Sequence, residues 1–157
     1  MPNTAEWGYK SMTRSTIREH IFKLLFRVEF HNTNELDLQI RLYMDTLPSI
    51  SDANREYISE KTRVIAALIL EIDEKINAVS NGWPVTRLGK AELAIMRLAV
   101  YEIEYDNDIP VNVAINEAVE LAKKYGADNA PSFINGVLAK LVNENEQDVE
   151  ESKSEEE

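Results

Sequence analysis

VNVAINEAVELAKKYGADNAPSFINGVLAKL, from Val111 to Leu141, decides the fold. Val113, Ala114, Ala118, Leu121 and Ala122 recur at helical spacing, as do Phe133, Ile134, Val137, Leu138 and Leu141. Between the two sets lies a stop. Gly126 is expected there as a left-handed C-cap after Tyr125, and Pro131 suits the start of the second helix. Apolar residues nearly cover both segments, so both are expected to be largely buried. Gly136 in the second helix costs roughly 1 kcal/mol relative to alanine. That cost is tolerable where a neighbouring backbone must pass close by.

Upstream, Pro110 leads into the hairpin. Asp106-Asn107-Asp108 breaks a helix over about Lys90 to Tyr105, whose Leu93, Met96, Ala99, Val100 and Ile103 form a core stripe. Trp83-Pro84 opens this section after a Ser80-Asn81-Gly82 turn, because Pro84 forces Trp83 away from helical dihedrals. A long helix capped by Ser51 is expected to reach about Ser80, with Ile58, Ile65, Leu68, Ile69, Ile72, Ile76 and Val79 facing in. Before it, Asn34 to Leu47 reads as a helix with Leu36, Ile40, Tyr43 and Leu47 apolar, ended by Pro48. Thr13 caps a first helix running to about His31. No segment shows sustained period-two alternation, so the fold class is all-α.

The first helix has two apolar stripes where a surface helix needs one. Ile17, Ile21, Leu24, Leu25 and Val28 share one face, and Phe22, Phe26 and Phe30 are centred nearly opposite. Either the helix is buried on both sides or the phenylalanines face a partner. Arg14 and Arg18 sit one turn apart, a pattern most often found on a solvated flank.

Charge is unevenly distributed. The net charge is −11, but Glu144 to Glu157 holds eight acids and one base. Residues 143–157 therefore read as a disordered acidic tail. Residues 1–12 lack periodicity and read as a mobile arm. From Lys10 to Arg27 the balance reverses, with five bases against Glu19 alone. This local basic patch reopens nucleic-acid binding, which the whole-chain charge argues against. There is no cysteine, which removes disulfides, thiol catalysis and sulfur-based zinc sites. No apolar run reaches the ~18 residues of a membrane span, and a soluble cytoplasmic protein is the expectation. Two histidines, no Glu-x-x-His pair, no phosphate-binding Gly-x-x-x-x-Gly-Lys run and no Gly-x-Ser-x-Gly elbow point away from an enzyme. Glu117 and Glu120 lie on adjacent helical positions, but without an acid-base partner such a pair is usually a solvated face.

The chain resembles the NusB family of bacterial transcription antitermination factors. Trp83 followed by Arg87-Leu88-Gly89-Lys90 carries the likeness, with ELAIMRLAVYEI (Glu92 to Ile103), Ile109-Pro110, VAINEAVELAKKYG (Val113 to Gly126) and SFINGVLAKL (Ser132 to Leu141). Helix periodicity alone would not demand Asn116, Glu117 or Asn135. The resemblance implies two perpendicular three-helix bundles forming one domain over residues 13–142. It implies no catalysis and no cofactor. It implies pairing with NusE, a small-subunit ribosomal protein, and binding of single-stranded boxA RNA from ribosomal RNA operons, in a complex that associates with RNA polymerase.

The resemblance also assigns residues. Arg14, Arg18 and Glu19 match the family's Arg-x-x-Ala-Arg-Glu pattern, with Ile17 in place of the alanine. Arg87 and Phe133 match positions near the RNA, where a guanidinium binds phosphate and an aromatic ring offers a stacking platform. On chemistry alone Phe133 is equally a core residue. Phe22, Phe26 and Phe30 match the face that meets NusE, and Glu92 and Asn129 match the same interface. Asn129 stands where the family often has an acid. A homodimer covering the phenylalanine stripe is open, as is a helical adaptor without RNA contact. In the family's RNA methyltransferases a catalytic domain follows the helical module, where this chain has its acidic tail.

Overall fold

A helix begins where a side chain can satisfy its first backbone amides, and Thr13 does so here. Its Oγ1 accepts the Thr16 N–H at 3.1 Å, a cap worth about 0.5–2 kcal/mol over alanine. The computed structural model describes residues 12–155. Apart from Met12, the expected N-terminal arm lies outside the described residues. Among them the secondary structure is helical: α1 (Arg14–Val28), α2 (Leu36–Asp45), α3 (Asp52–Ala67), α4 (Ile69–Val79), α5 (Lys90–Tyr105), α6 (Val111–Tyr125) and α7 (Ala130–Glu155), with short 3-10 turns at Thr33–Glu35 and Val85–Arg87. The chain divides into two units, the first ending at Leu68 and the second starting at Ile69.

The first unit packs α1 on α2 and α3. Ile21, Leu24 and Leu25 of α1 meet a core that includes Ile40, Tyr43, Met44, Ile50, Ile58 and Ile65, all buried. α1 stops at Val28, short of His31, because the Phe30 and His31 amides turn back to Arg27 and Val28 in i→i+3 bonds. α2 starts at Leu36 instead of Asn34, which falls in the 3-10 turn after Asn32. It ends at Asp45, where the Thr46 hydroxyl donates to the Tyr43 carbonyl at 2.6 Å. Such a local bond competes with continued helix. The Ser51 cap forms as expected, its Oγ accepting the Asn54 N–H at 3.1 Å.

The single long helix expected from Ser51 to Ser80 is two helices. Leu68, at φ −101° and ψ 5°, leaves helical geometry, and its N–H bonds to the Ile65 carbonyl at 3.0 Å. The second unit therefore holds four helices. Its centre is α5, buried without interruption from Leu93 to Glu102. α6 lays Ala114, Ala118 and Ala122 along one line, and these small residues allow close packing on α5 and α7. α4 is tied to α5 by a bidentate ion pair. The Arg97 guanidinium donates from Nε to Asp73 Oδ1 at 2.9 Å and from Nη2 to Oδ2 at 2.8 Å.

Both glycine expectations change. Gly126 adopts φ −91° and ψ 173°, which is extended and not left-handed. Space is what demands glycine there: a Cβ would lie 2.7 Å from the Ala130 Cβ and 2.9 Å from the Ala122 carbonyl oxygen. Around Gly136 the reverse holds, because a Cβ would meet nothing within 4 Å. No neighbouring backbone passes there. α7 also runs on as exposed helix to Glu155, into the stretch expected to be disordered. Asn145 anchors its middle by donating to Glu104 Oε1 at 2.6 Å, and the Glu, Gln and Lys beyond are good helix formers. No helix among the described residues is long and apolar enough to cross a membrane.

Candidate functional site

Five of the nine residues singled out in the sequence lie on α1 or just past its end. Arg14 is exposed in the first turn. Arg18, one turn on, is only 7% exposed, so the solvated pair reduces to Arg14. The phenylalanine stripe also divides. Phe22 is 3% exposed and belongs to the core, Phe26 is half-buried, and Phe30 is 59% exposed. The three share an angle about the axis but differ in depth along it, and Phe30 lies beyond the last helical turn. Phe22 thus offers no surface to a partner. Phe26 and Phe30 meet edge to face with centroids 5.2 Å apart. Such a pair adds about 0.5–1.5 kcal/mol beyond its buried area.

The same unit holds a small polar cluster that the sequence did not signal. His20 Nδ1 is hydrogen-bonded to the Tyr43 hydroxyl, and the Arg27 guanidinium lies 5.1 Å from the Tyr43 ring centroid. Burial holds the His20 pKa below the ordinary imidazole value, and Lys23 lowers it further against the opposing pull of Glu19. A neutral imidazole in the folded state means that the unfolded chain binds more protons at low pH. Stability is therefore full above the ordinary histidine value of about 6.5 and falls as pH drops below it. The urea midpoint of the wild-type chain should drop more between pH 7.5 and 5.5 than that of His20→Gln, and equal drops would exclude this source.

In the second unit the sequence candidates are Arg87, Glu92, Asn129 and Phe133. Arg87 is exposed at the end of the Val85–Arg87 turn, Asn129 is exposed, and Phe133 is half-buried on the first turn of α7. Glu92 is half-buried in the first turn of α5, where the helix dipole favours an acid. Its Oε1 accepts the Ala127 N–H at 3.0 Å. Its Oε2 sits where a Cβ on Gly89 would come within 2.3 Å, and its Oε1 lies 3.4 Å from the Cβ position of Gly126. Two glycines make room for one carboxylate, which ties the loop before α7 to the start of α5. Glu92 therefore acts within the chain, whatever it also offers a partner. Glu92→Ala should speed hydrogen exchange at the Ala127 amide and cost roughly 1 kcal/mol, since the bond is open to water. Glu92→Gln keeps an acceptor and should stay near wild type. Unchanged exchange in Glu92→Ala would contradict the brace.

Sequence reading missed Trp83 as a surface residue. It is 55% exposed just after the Asn81-Gly82 reversal, where φ is 50° and 84°. The signal was present in the sequence, because Pro84 keeps Trp83 out of any helix and its core.

The NusB family model matches residues 15–143. The transcription antitermination protein NusB of Agathobacter rectalis is 56% identical over 131 residues, covering 83% of this chain and all of the relative. Among solved structures, NusB of T. maritima superposes with a TM-score of 0.77 at 31% identity, covering 86% of this chain and 94% of that one. A chain in the "Crystal Structure of a Plectonemic RNA Supercoil" superposes with a TM-score of 0.73 at 27% identity, covering 84% of this chain and 95% of that one. The chain belongs to the NusB family of transcription antitermination proteins.

Proposed function

We propose that the chain pairs with NusE, the small-subunit ribosomal protein, and binds single-stranded boxA RNA of ribosomal RNA operons. It acts without catalysis, in the cytoplasm, as part of an antitermination complex that associates with RNA polymerase. The observation that carries this reading is the family match over residues 15–143. Support comes from the similar chain found in an RNA crystal structure. The surface chemistry is suited to the task. Arg14 and Arg87 are exposed cations for phosphate, and Phe133 presents part of a ring for an unpaired base. Phe26, Phe30 and Asn129 remain the partner-facing residues, while Phe22 and Arg18 support α1 from within.

The competing reading is a helical adaptor without RNA contact, favoured by the net charge of −11. Salt separates the two. Phosphate contacts release counterions, so log Kobs for single-stranded RNA should fall by about 0.7 per contact for each decade of salt. Affinity that is flat with salt, or absent, would favour the adaptor.

A further inference from the structure

We propose that the 81–90 segment and the adjoining flank of α7 form one track for single-stranded RNA, with Trp83 as a stacking platform. The proposal rests on the RNA-binding reading above and extends it beyond Arg87 and Phe133. In a chain with 28 acidic residues, none occurs from Lys75 to Ala91 and none from Asn129 to Asn143. The fold brings these two acid-free stretches together. Lys140 Nζ donates to Asn81 Oδ1 at 2.6 Å. At the other end, Glu92 lies against Gly89 and holds the Ala127 amide at 3.0 Å. The 81–90 segment is thus bonded to α7 at Lys140 and linked, through Glu92, to the loop just before the start of α7.

On α7, Ala130, Ile134, Val137, Leu138 and Leu141 point into the core. At 100° per residue, Phe133, Gly136 and Lys140 lie within about 60° of one another on the adjoining flank. Phe133 and Lys140 are about 10 Å apart along the axis. Between them Gly136 leaves bare backbone, with open space where a side chain would stand. This gives a purpose to a helix-interior glycine that packing does not explain.

Trp83 is framed by two anchors. Two residues before it, Asn81 takes the Lys140 bond, and two residues after it the Val85 N–H donates to Asn77 Oδ1 at 2.9 Å. An isolated exposed apolar residue needs no explanation. Here an indole more than half exposed sits on a segment bonded on both sides of it, with Arg87 and Lys90 following in a stretch free of acids and Lys140 bonded to Asn81 two residues before it. Aromatic platforms alternating with cations are what an unpaired, negatively charged strand binds.

The test uses fluorescence and affinity. The chain has two tryptophans, so Trp7→Phe in the full chain leaves Trp83 as the sole reporter. The probe is boxA-containing RNA extended by unpaired uridines at both ends. Saturable quenching of Trp83 is expected. In otherwise wild-type chain, Trp83→Ala should weaken binding of that RNA about 5- to 100-fold. Lys140→Gln should lower the salt slope by about 0.7. RNA binding with unchanged Trp83 emission and unchanged affinity in Trp83→Ala would overturn the track while leaving the RNA-binding reading intact. No RNA binding by the wild-type chain, alone or with NusE, would overturn both. Should Trp83→Ala fail to fold, the emission of Trp7→Phe decides.

Discussion

Asp73→Ala should lower stability by up to roughly 3–5 kcal/mol, because it strips the forked carboxylate from a buried guanidinium and leaves only its other contacts to compensate the charge. Arg97 is 5% exposed and sits mid-way along the fully buried stretch of α5. Both guanidinium bonds to Asp73 would go at once. Replacing the pair together by apolar residues of similar volume should cost far less, since removing both charges also removes their desolvation penalty. Urea unfolding of Asp73→Ala and of the double substitution Asp73→Leu with Arg97→Met measures the difference. A single mutant as stable as the double would mean that the other contacts of Arg97 suffice to hold its charge. The ion pair bears on the proposed RNA track because α4 and α5 flank the segment carrying Trp83 and Arg87.

Phe22→Ala should cost about 3–5 kcal/mol, the usual range for emptying a buried aromatic site. Phe30→Ala, eight residues on and past the helix end, should cost only about 0.5–1.5 kcal/mol, the worth of its edge-to-face contact with Phe26. The proposed partner surface predicts the opposite order for binding. Phe30→Ala should weaken association with NusE, with a smaller fall in thermal midpoint than Phe22→Ala shows. Calorimetric titration and thermal unfolding of both variants give the two readouts. Phe30→Ala that binds NusE as tightly as wild type would remove Phe30 from the interface.

The sequence was most informative where a local chemical signal fixes a boundary. Thr13 and Ser51 cap helices as their hydroxyls suggest, and α5 runs from Lys90 to Tyr105, the stretch its apolar period marks. The break at Leu68 was not legible, because the Ala66-Ala67-Leu68-Ile69 run contains no glycine or proline and continues the apolar pattern. Periodicity also reports angle about a helix and not depth along it. That is why Phe22 and Phe30 read alike and Arg14 and Arg18 read alike, although the fold buries one of each. Gly126 was rightly read as a helix stop but for the wrong reason, since the crowding by Ala122 and Ala130, four residues to either side, depends on how tightly the chain turns from one helix into the next. Glu92 as a brace and the meeting of two acid-free stretches depend on contacts between distant residues. Helix patterns cannot reveal them.

The most direct test of the functional account is a titration of boxA-containing RNA with the chain alone, with NusE alone and with both. The pair should bind boxA RNA more tightly than either protein does, and more tightly than it binds a scrambled RNA of equal length. Equal affinity for boxA and scrambled RNA, or no gain on adding NusE, would contradict it.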